Sequence, residues 1–75
     1  MDSRPVFHKP TFDNISFEKK QKILSVSLRE FSSKGFESAN INTIAKEAGV
    51  SVGSMYKYFD SKKDLFLTTV HLGIE

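Results

Sequence analysis

The stretch EAGVSVGSMYKYFDSKKDLF, residues 47–66, constrains the fold more than any other part of the chain. Within twenty positions it carries two helix-ending signals, Gly49 and Asp60, and two helix-starting signals, Ser51 and Ser61. Glycine adopts the left-handed conformation that closes a helix without steric penalty, and a serine hydroxyl accepts from the free amides of the helix that follows. A chain punctuated this closely must set short helices at steep angles to one another. A continuous rod running straight through Gly49 is not expected.

The flanking sequence supplies the other helices. Ser16 is a good N-cap, and Glu18 suits the positive end of a helix dipole. Ile23, Leu24, Ser27, Leu28 and Phe31 then recur along one helical stripe. Lys34 and Gly35 add a favourable charge and an expected left-handed stop, so the spacing predicts a first helix over about 17–34, with Phe36 folding back onto its last turn. Asn40 caps a second helix through Ile41, Ile44, Ala45 and Ala48, which Gly49 ends. Ser51 caps a third over about 52–59, carrying Val52, Met55, Tyr56 and Phe59. Ser61 opens a fourth, with Asp64 as its capping-box-like partner and Leu65, Phe66, Thr69 and Val70 on its apolar side. Gly73 is the one candidate stop for this last helix, which reads as a chain continuing beyond residue 75. Residues 1–16 hold both prolines, Pro5 and Pro10, with scattered aromatics and no apolar period, and are expected to form a flexible extension in which Arg4 and Lys9 are offset by Asp2 and Asp13. The expected fold is all-α: a three-helix helix-turn-helix (homeodomain-like) bundle over 17–60 and the start of a fourth helix over 61–75.

Composition narrows the functional classes. With 39% apolar and 27% charged residues the chain reads as globular, and the absence of cysteine excludes disulfides and thiolate metal sites. No apolar run approaches the roughly 20 residues that cross a bilayer. The N-terminus lacks a signal-peptide core and cleavage site, which gives a cytoplasmic expectation without membrane attachment. A core and an enclosed small-molecule pocket do not both fit in 75 residues. The net charge of +2 is small, so the placement of charge matters more than its sum.

That placement points to duplex DNA. Two short helices joined by Gly49-Val50-Ser51 form a helix-turn-helix, whose second helix enters a major groove. Val50 is expected to turn inward as a pivot, and the small Ala45 lets the two helices approach. With Met55 and Phe59 inward, the helical wheel leaves Val52, Gly53, Ser54, Tyr56 and Lys57 outward and Tyr58 near the edge. Gly53 admits close backbone approach at a helix-propensity cost of about 1 kcal/mol relative to Ala. Ser54 and Lys57 can bond base edges or phosphates, Val52 can touch a thymine methyl, and the tyrosine hydroxyls can reach phosphate oxygens. Lys62 and Lys63 stand in a first helical turn, where a cation opposes the dipole, so an anion nearby accounts for them better than helix stability does. Asn40, Asn42 and Thr43 offer polar groups at the start of the second helix.

The run INTIAKEAGVSVGSMYKYFDSKKDLF resembles the N-terminal DNA-binding region of TetR-family transcriptional regulators, and ILSVSLREFSSKGFESAN resembles that family's first helix and following linker. The resemblance covers about residues 17–70. It implies a repressor that binds palindromic operators as a homodimer and is released by a small-molecule inducer. Both the dimer contacts and the inducer pocket would lie in a C-terminal domain outside this sequence. Position by position, it puts Asn42 and Thr43 on the base- or phosphate-contacting part of the second helix. It puts Val52, Gly53, Ser54, Tyr56, Lys57 and Tyr58 on the recognition helix, and Lys62 on a phosphate-binding lysine. Two positions depart from the pattern: Glu30 stands where the family is often apolar, and Val52 where it is often polar or basic.

Other readings are weaker. Phe31, Phe36, Ile44, Met55, Phe59 and Leu65 read as core. His8 and His71 stand far apart without further ligands, so no metal or cofactor is expected. Asp60 and Asp64 read as turn and cap rather than as paired catalytic carboxylates, and with no nucleophile–base pair an enzyme is not expected. Lys19, Lys20 and Lys22 read as a solvated face rather than a lipid-seeking patch. The alternative function is a small helical protein-interaction module, which should show a contiguous apolar patch over residues 52–58; the mixture of Gly, Ser, Lys and Tyr there favours DNA.

Overall fold

The computed structural model describes residues 6–72. Arg4, Pro5 and the candidate stop Gly73 lie outside them. Five helices follow in order: α1 (Pro10–Asp13), α2 (Phe17–Ser38), α3 (Ile41–Ala48), α4 (Val52–Tyr58) and α5 (Lys62–Leu72). The fold is all-α, and the helix-turn-helix is α3 and α4.

The helix starts follow from their caps. Ser16 Oγ accepts from the Lys19 amide at 3.1 Å, Asn40 Oδ1 from Asn42 at 2.7 Å, Ser51 Oγ from Ser54 at 3.0 Å, and Ser61 Oγ from Asp64 at 3.1 Å. Each satisfies an amide that the helix itself leaves free. Ile23, Ile44, Met55, Phe59 and Leu65 form a core with almost no exposure, and Phe31 joins it. Phe36 is only half-buried. It stacks on Phe31 (6.1 Å between centroids) and meets Phe66 edge-on (5.4 Å), which ties the end of α2 to α5.

Gly35 departs from the expected left-handed stop. Its φ of 77° and ψ of 167° lie in a region open essentially to glycine alone, and one further turn, Phe36–Ser38, follows before the chain leaves the helix at Ala39. The kink is what brings Phe36 back over Phe31.

Glu30, the charged residue at a position expected to be apolar, is buried with purpose. Its Oε2 accepts from Lys34 Nζ and from the Asn40 amide, each at 3.0 Å, so one carboxylate joins α2 to the residue that caps α3. The bonded Lys34 ammonium, aided by the Asn40 amide, holds this carboxyl below the ordinary glutamate range against the opposing effect of burial.

The segment expected to be a flexible extension is structured between residues 6 and 16. Pro10 opens the single turn α1, and Phe12 is buried to 1% exposure against Phe59 and Tyr58, at 5.0 and 6.0 Å between ring centroids. An aromatic ring with an apolar site waiting for it outweighs the entropy of ordering a short loop.

Two predictions follow from the backbone and the buried carboxylate. Gly35→Ala should destabilise the domain by about 1–3 kcal/mol and Gly49→Ala by about 1–2 kcal/mol, both read from urea denaturation. A group whose folded pKa is depressed contributes stability that is present above its unfolded pKa and lost as pH falls through its folded value. Wild type should therefore lose more stability than Glu30→Gln as the pH is lowered from about 6 to about 3. Parallel curves for the two proteins would remove Glu30 from the account.

Candidate nucleic-acid interface

The corner between α3 and α4 is built by main-chain bonds. Gly49 sits in the left-handed region at φ 76° and ψ 27°. Its amide donates to Lys46 O at 3.2 Å, and the Val50 amide donates to Ala45 O at 3.0 Å. This pair of bonds is a Schellman closure, satisfying carbonyls that α3 would otherwise leave free. Val50 is half-buried and packs against the core as the expected pivot, while Ala45, at 1% exposure, stands at the inner side of α3. Two residues later α4 begins.

Along α4 the outward positions are Gly53, Tyr56 and Lys57, all exposed, with Tyr56 at 49%. A β-carbon built on Gly53 would meet only Ser51 Oγ, at 3.8 Å. Nothing inside the domain demands a glycine there. Ser54 is half-buried, and its Oγ accepts from the Ser51 hydroxyl at 2.9 Å. Val52 is half-buried and leans on the core, so it is less free than the sequence implied. Tyr58 is the clear departure: at 8% exposure its ring belongs to the interior, where it clusters with the rings of Phe12 and Phe59. The N-terminal turn makes it a supporting residue.

At the start of α3, Asn42 is exposed and Thr43 half-buried. Lys62, at the start of α5, is half-buried and already engaged. Its Nζ donates to Glu37 O at 3.1 Å and Ala39 O at 3.2 Å and lies 4.7 Å from the centre of the Phe36 ring. In the sequence this cation has no evident structural partner; the end of α2 is that partner. Lys63 beside it is exposed. Exposed or half-buried amide, hydroxyl and ammonium groups thus stand on α3, on α4 and in the first turn of α5.

Sequence reasoning missed the contribution of Lys9, Thr11 and Phe12, which grip the C-terminal end of α4. One local signal was available: Pro10 stands at the favoured first position of a helix, with an aromatic two residues on.

Known proteins share this arrangement. Residues 23–69 match the family model described as bacterial regulatory proteins, tetR family. The HTH-type transcriptional regulator YerO of Bacillus subtilis is 45% identical over 51 residues, which is 68% of this chain and 18% of YerO. The HTH-type transcriptional regulator AcrR of Shigella flexneri is 49% identical over 49 residues, 65% of this chain and 23% of AcrR. A crystal structure of a TetR family transcriptional regulator from Chloroflexus aurantiacus superposes with a TM-score of 0.81 at 40% identity, covering 91% of this chain and 31% of that one. The chain therefore spans about a fifth of these two curated relatives. The matched residues include the whole helix-turn-helix, and on that ground the chain belongs to the TetR family of bacterial regulatory proteins.

Proposed function

We propose that this domain binds double-stranded DNA sequence-specifically. In this reading α4 lies in the major groove, and the starts of α3 and α5 flank it on the phosphate backbone. The observation that carries the proposal is the bare, polar face of α4. Gly53 is exposed where no internal contact calls for glycine, and Tyr56 and Lys57 stand exposed on the same short helix. Among the described residues of α4, Tyr56 is the one large hydrophobic side chain that is exposed. A protein-docking module would present a broader apolar patch.

The reading set is Val52, Gly53, Ser54, Tyr56 and Lys57, with Asn42 and Thr43 contributing from α3 and Lys62 from α5. Tyr58 supports the helix from inside. At the level of the whole regulator, the proposal is a cytoplasmic, non-enzymatic repressor that acts as a homodimer on a palindromic operator. A small-molecule inducer, bound outside this chain, would release it. Among the described residues no helix is long and apolar enough to cross a membrane.

Selection of bound sequences from random duplex DNA, followed by titration at several salt concentrations, tests the core of this. Affinity should fall with salt, each phosphate-neutralising lysine adding about 0.9 to the log–log slope. A flat slope, or no binding, would exclude the reading. Residue roles separate by substitution. Lys57→Ala and Ser54→Ala should change preference among sequences by about 1–3 kcal/mol, whereas Lys62→Ala should weaken all duplexes alike. Because Lys62 also bonds two carbonyls of the α2 end, its variant must be compared at a temperature where circular dichroism shows it folded.

Gly53→Ala offers the sharpest contrast. It should raise unfolding stability by up to about 1 kcal/mol, since alanine is the better helix residue and the space is open, yet lower DNA affinity because a methyl group intrudes on the duplex. A variant both more stable and equally tight would remove Gly53 from the interface.

A further inference from the structure

Helix α4 has seven residues, too few to persist without help from its surroundings. Every helix leaves its last four carbonyls without helical partners. In α4 the carbonyl of Met55 is taken by the Phe59 amide at 2.9 Å. The other three are all taken by the segment that precedes α2. Lys9 Nζ donates to Tyr56 O at 3.2 Å, the Thr11 hydroxyl donates to Lys57 O, and the Lys9 amide donates to Tyr58 O at 2.7 Å. Lys9 Nζ also pairs with Asp60 Oδ1 at 2.8 Å, which holds the ammonium at the negative end of the helix dipole. Phe12 then anchors the segment in the core between Tyr58 and Phe59.

These contacts have a specific geometry. Tyr56 and Lys57 turn their side chains outward, while their carbonyls are held by Lys9 and Thr11. The residues that face the solvent are thus fixed through their own main chain by a segment about 46 residues away in sequence. The same segment continues to α5, where the Phe7 ring lies 5.2 Å from that of His71. His8 packs edge-on against Phe12, with its Nε2 2.8 Å from Asp13 Oδ1, so the segment is braced internally as well.

We propose that residues 7–12 form a clamp that sets the orientation of the last turn of α4, making Lys9 and Thr11 positioning residues for the selectivity exercised by Tyr56 and Lys57. This rests on the reading of α4 as the DNA-reading helix. The clamp touches no duplex itself. It acts by removing the freedom of a short helical end, so that the outward side chains meet base edges in one orientation.

Three substitutions isolate the hydrogen bonds from the packing of Phe12. Thr11→Val deletes the hydroxyl donor and nearly conserves volume, Thr11→Ser keeps the donor, and Lys9→Met removes the ammonium but keeps its stem. Amide hydrogen exchange on the free 75-residue chain should show faster exchange at Tyr58 and Phe59 in Thr11→Val and Lys9→Met, with the α2 core amides unchanged and Thr11→Ser close to wild type. In titrations against the preferred duplex and a scrambled duplex, each deleting variant should lose about three- to tenfold for the preferred duplex, the net worth of one hydrogen bond. Binding to the scrambled duplex and the salt slope should be unchanged, and Thr11→Ser should restore selectivity.

Unchanged exchange at Tyr58 and Phe59 would overturn the clamp. So would faster exchange with undiminished selectivity, or an equal loss on both duplexes, which is the mark of general destabilisation. A wild-type chain that bound both duplexes equally would overturn the reading of α4 and the positioning role with it; the exchange data would still report whether the end of α4 is held. Because Lys9→Met leaves Thr11 and Phe12 in place, the idea stays testable if Thr11→Val fails to fold.

Discussion

Gly49 lets two consecutive amides reach back to the carbonyls of Lys46 and Ala45, and the direction of α4 follows from that pair of bonds. A side chain at this position would strain the backbone by about 1–2 kcal/mol, and a different turn would send α4 elsewhere. The corner fixes only one end of the helix. A seven-residue helix with its far end free would fray, and the contacts of Lys9, Thr11 and Phe12 close that end. The solvent-facing side is therefore the part of α4 left over once both ends and the inner side are held.

Two aromatic groups distribute the remaining packing. Phe12, Tyr58 and Phe59 join the N-terminal segment to α4, while Phe31, Phe36 and Phe66 join the end of α2 to α5. Pairs of this kind are worth about 0.5–1.5 kcal/mol beyond their buried area. The buried carboxylate of Glu30 adds a polar link, connecting Lys34 on α2 to the amide of Asn40. A small domain has few apolar residues to spare, and this one uses a charge-assisted node at a position that the resemblance led one to expect apolar. Breaking one partner of such a node is costlier than its net contribution, because the other is left desolvated.

What could be read from the sequence was local. The caps Ser16, Asn40, Ser51 and Ser61 each act within three residues, and Gly49 acts on the turn it belongs to, so their spacing was enough to set the helix boundaries and the outward positions Gly53, Tyr56 and Lys57. What escaped was decided at long range. Phe12 finds its site only once Tyr58 and Phe59 are in place. The same encounter turns Tyr58 from an edge residue into an interior one. Glu30 read as a misplaced charge because its partner Asn40 is ten residues away across a kink. The kink was visible as a glycine, but the return of Phe36 onto Phe31 that it produces involves packing beyond the local turn. The membership of Lys62 in the α2 end was hidden for the same reason.

The bonding of Lys62 has a kinetic and entropic side. A free lysine stem carries roughly 2 kcal/mol of rotamer entropy, most of which a surface ammonium surrenders when it seizes an oxyanion. Here the carbonyls of Glu37 and Ala39 and the ring of Phe36 have already arrested the stem during folding, and an ammonium has three hydrogens for those two acceptors. Any further acceptor would meet a stem that is already fixed, and little additional freezing would accompany its capture.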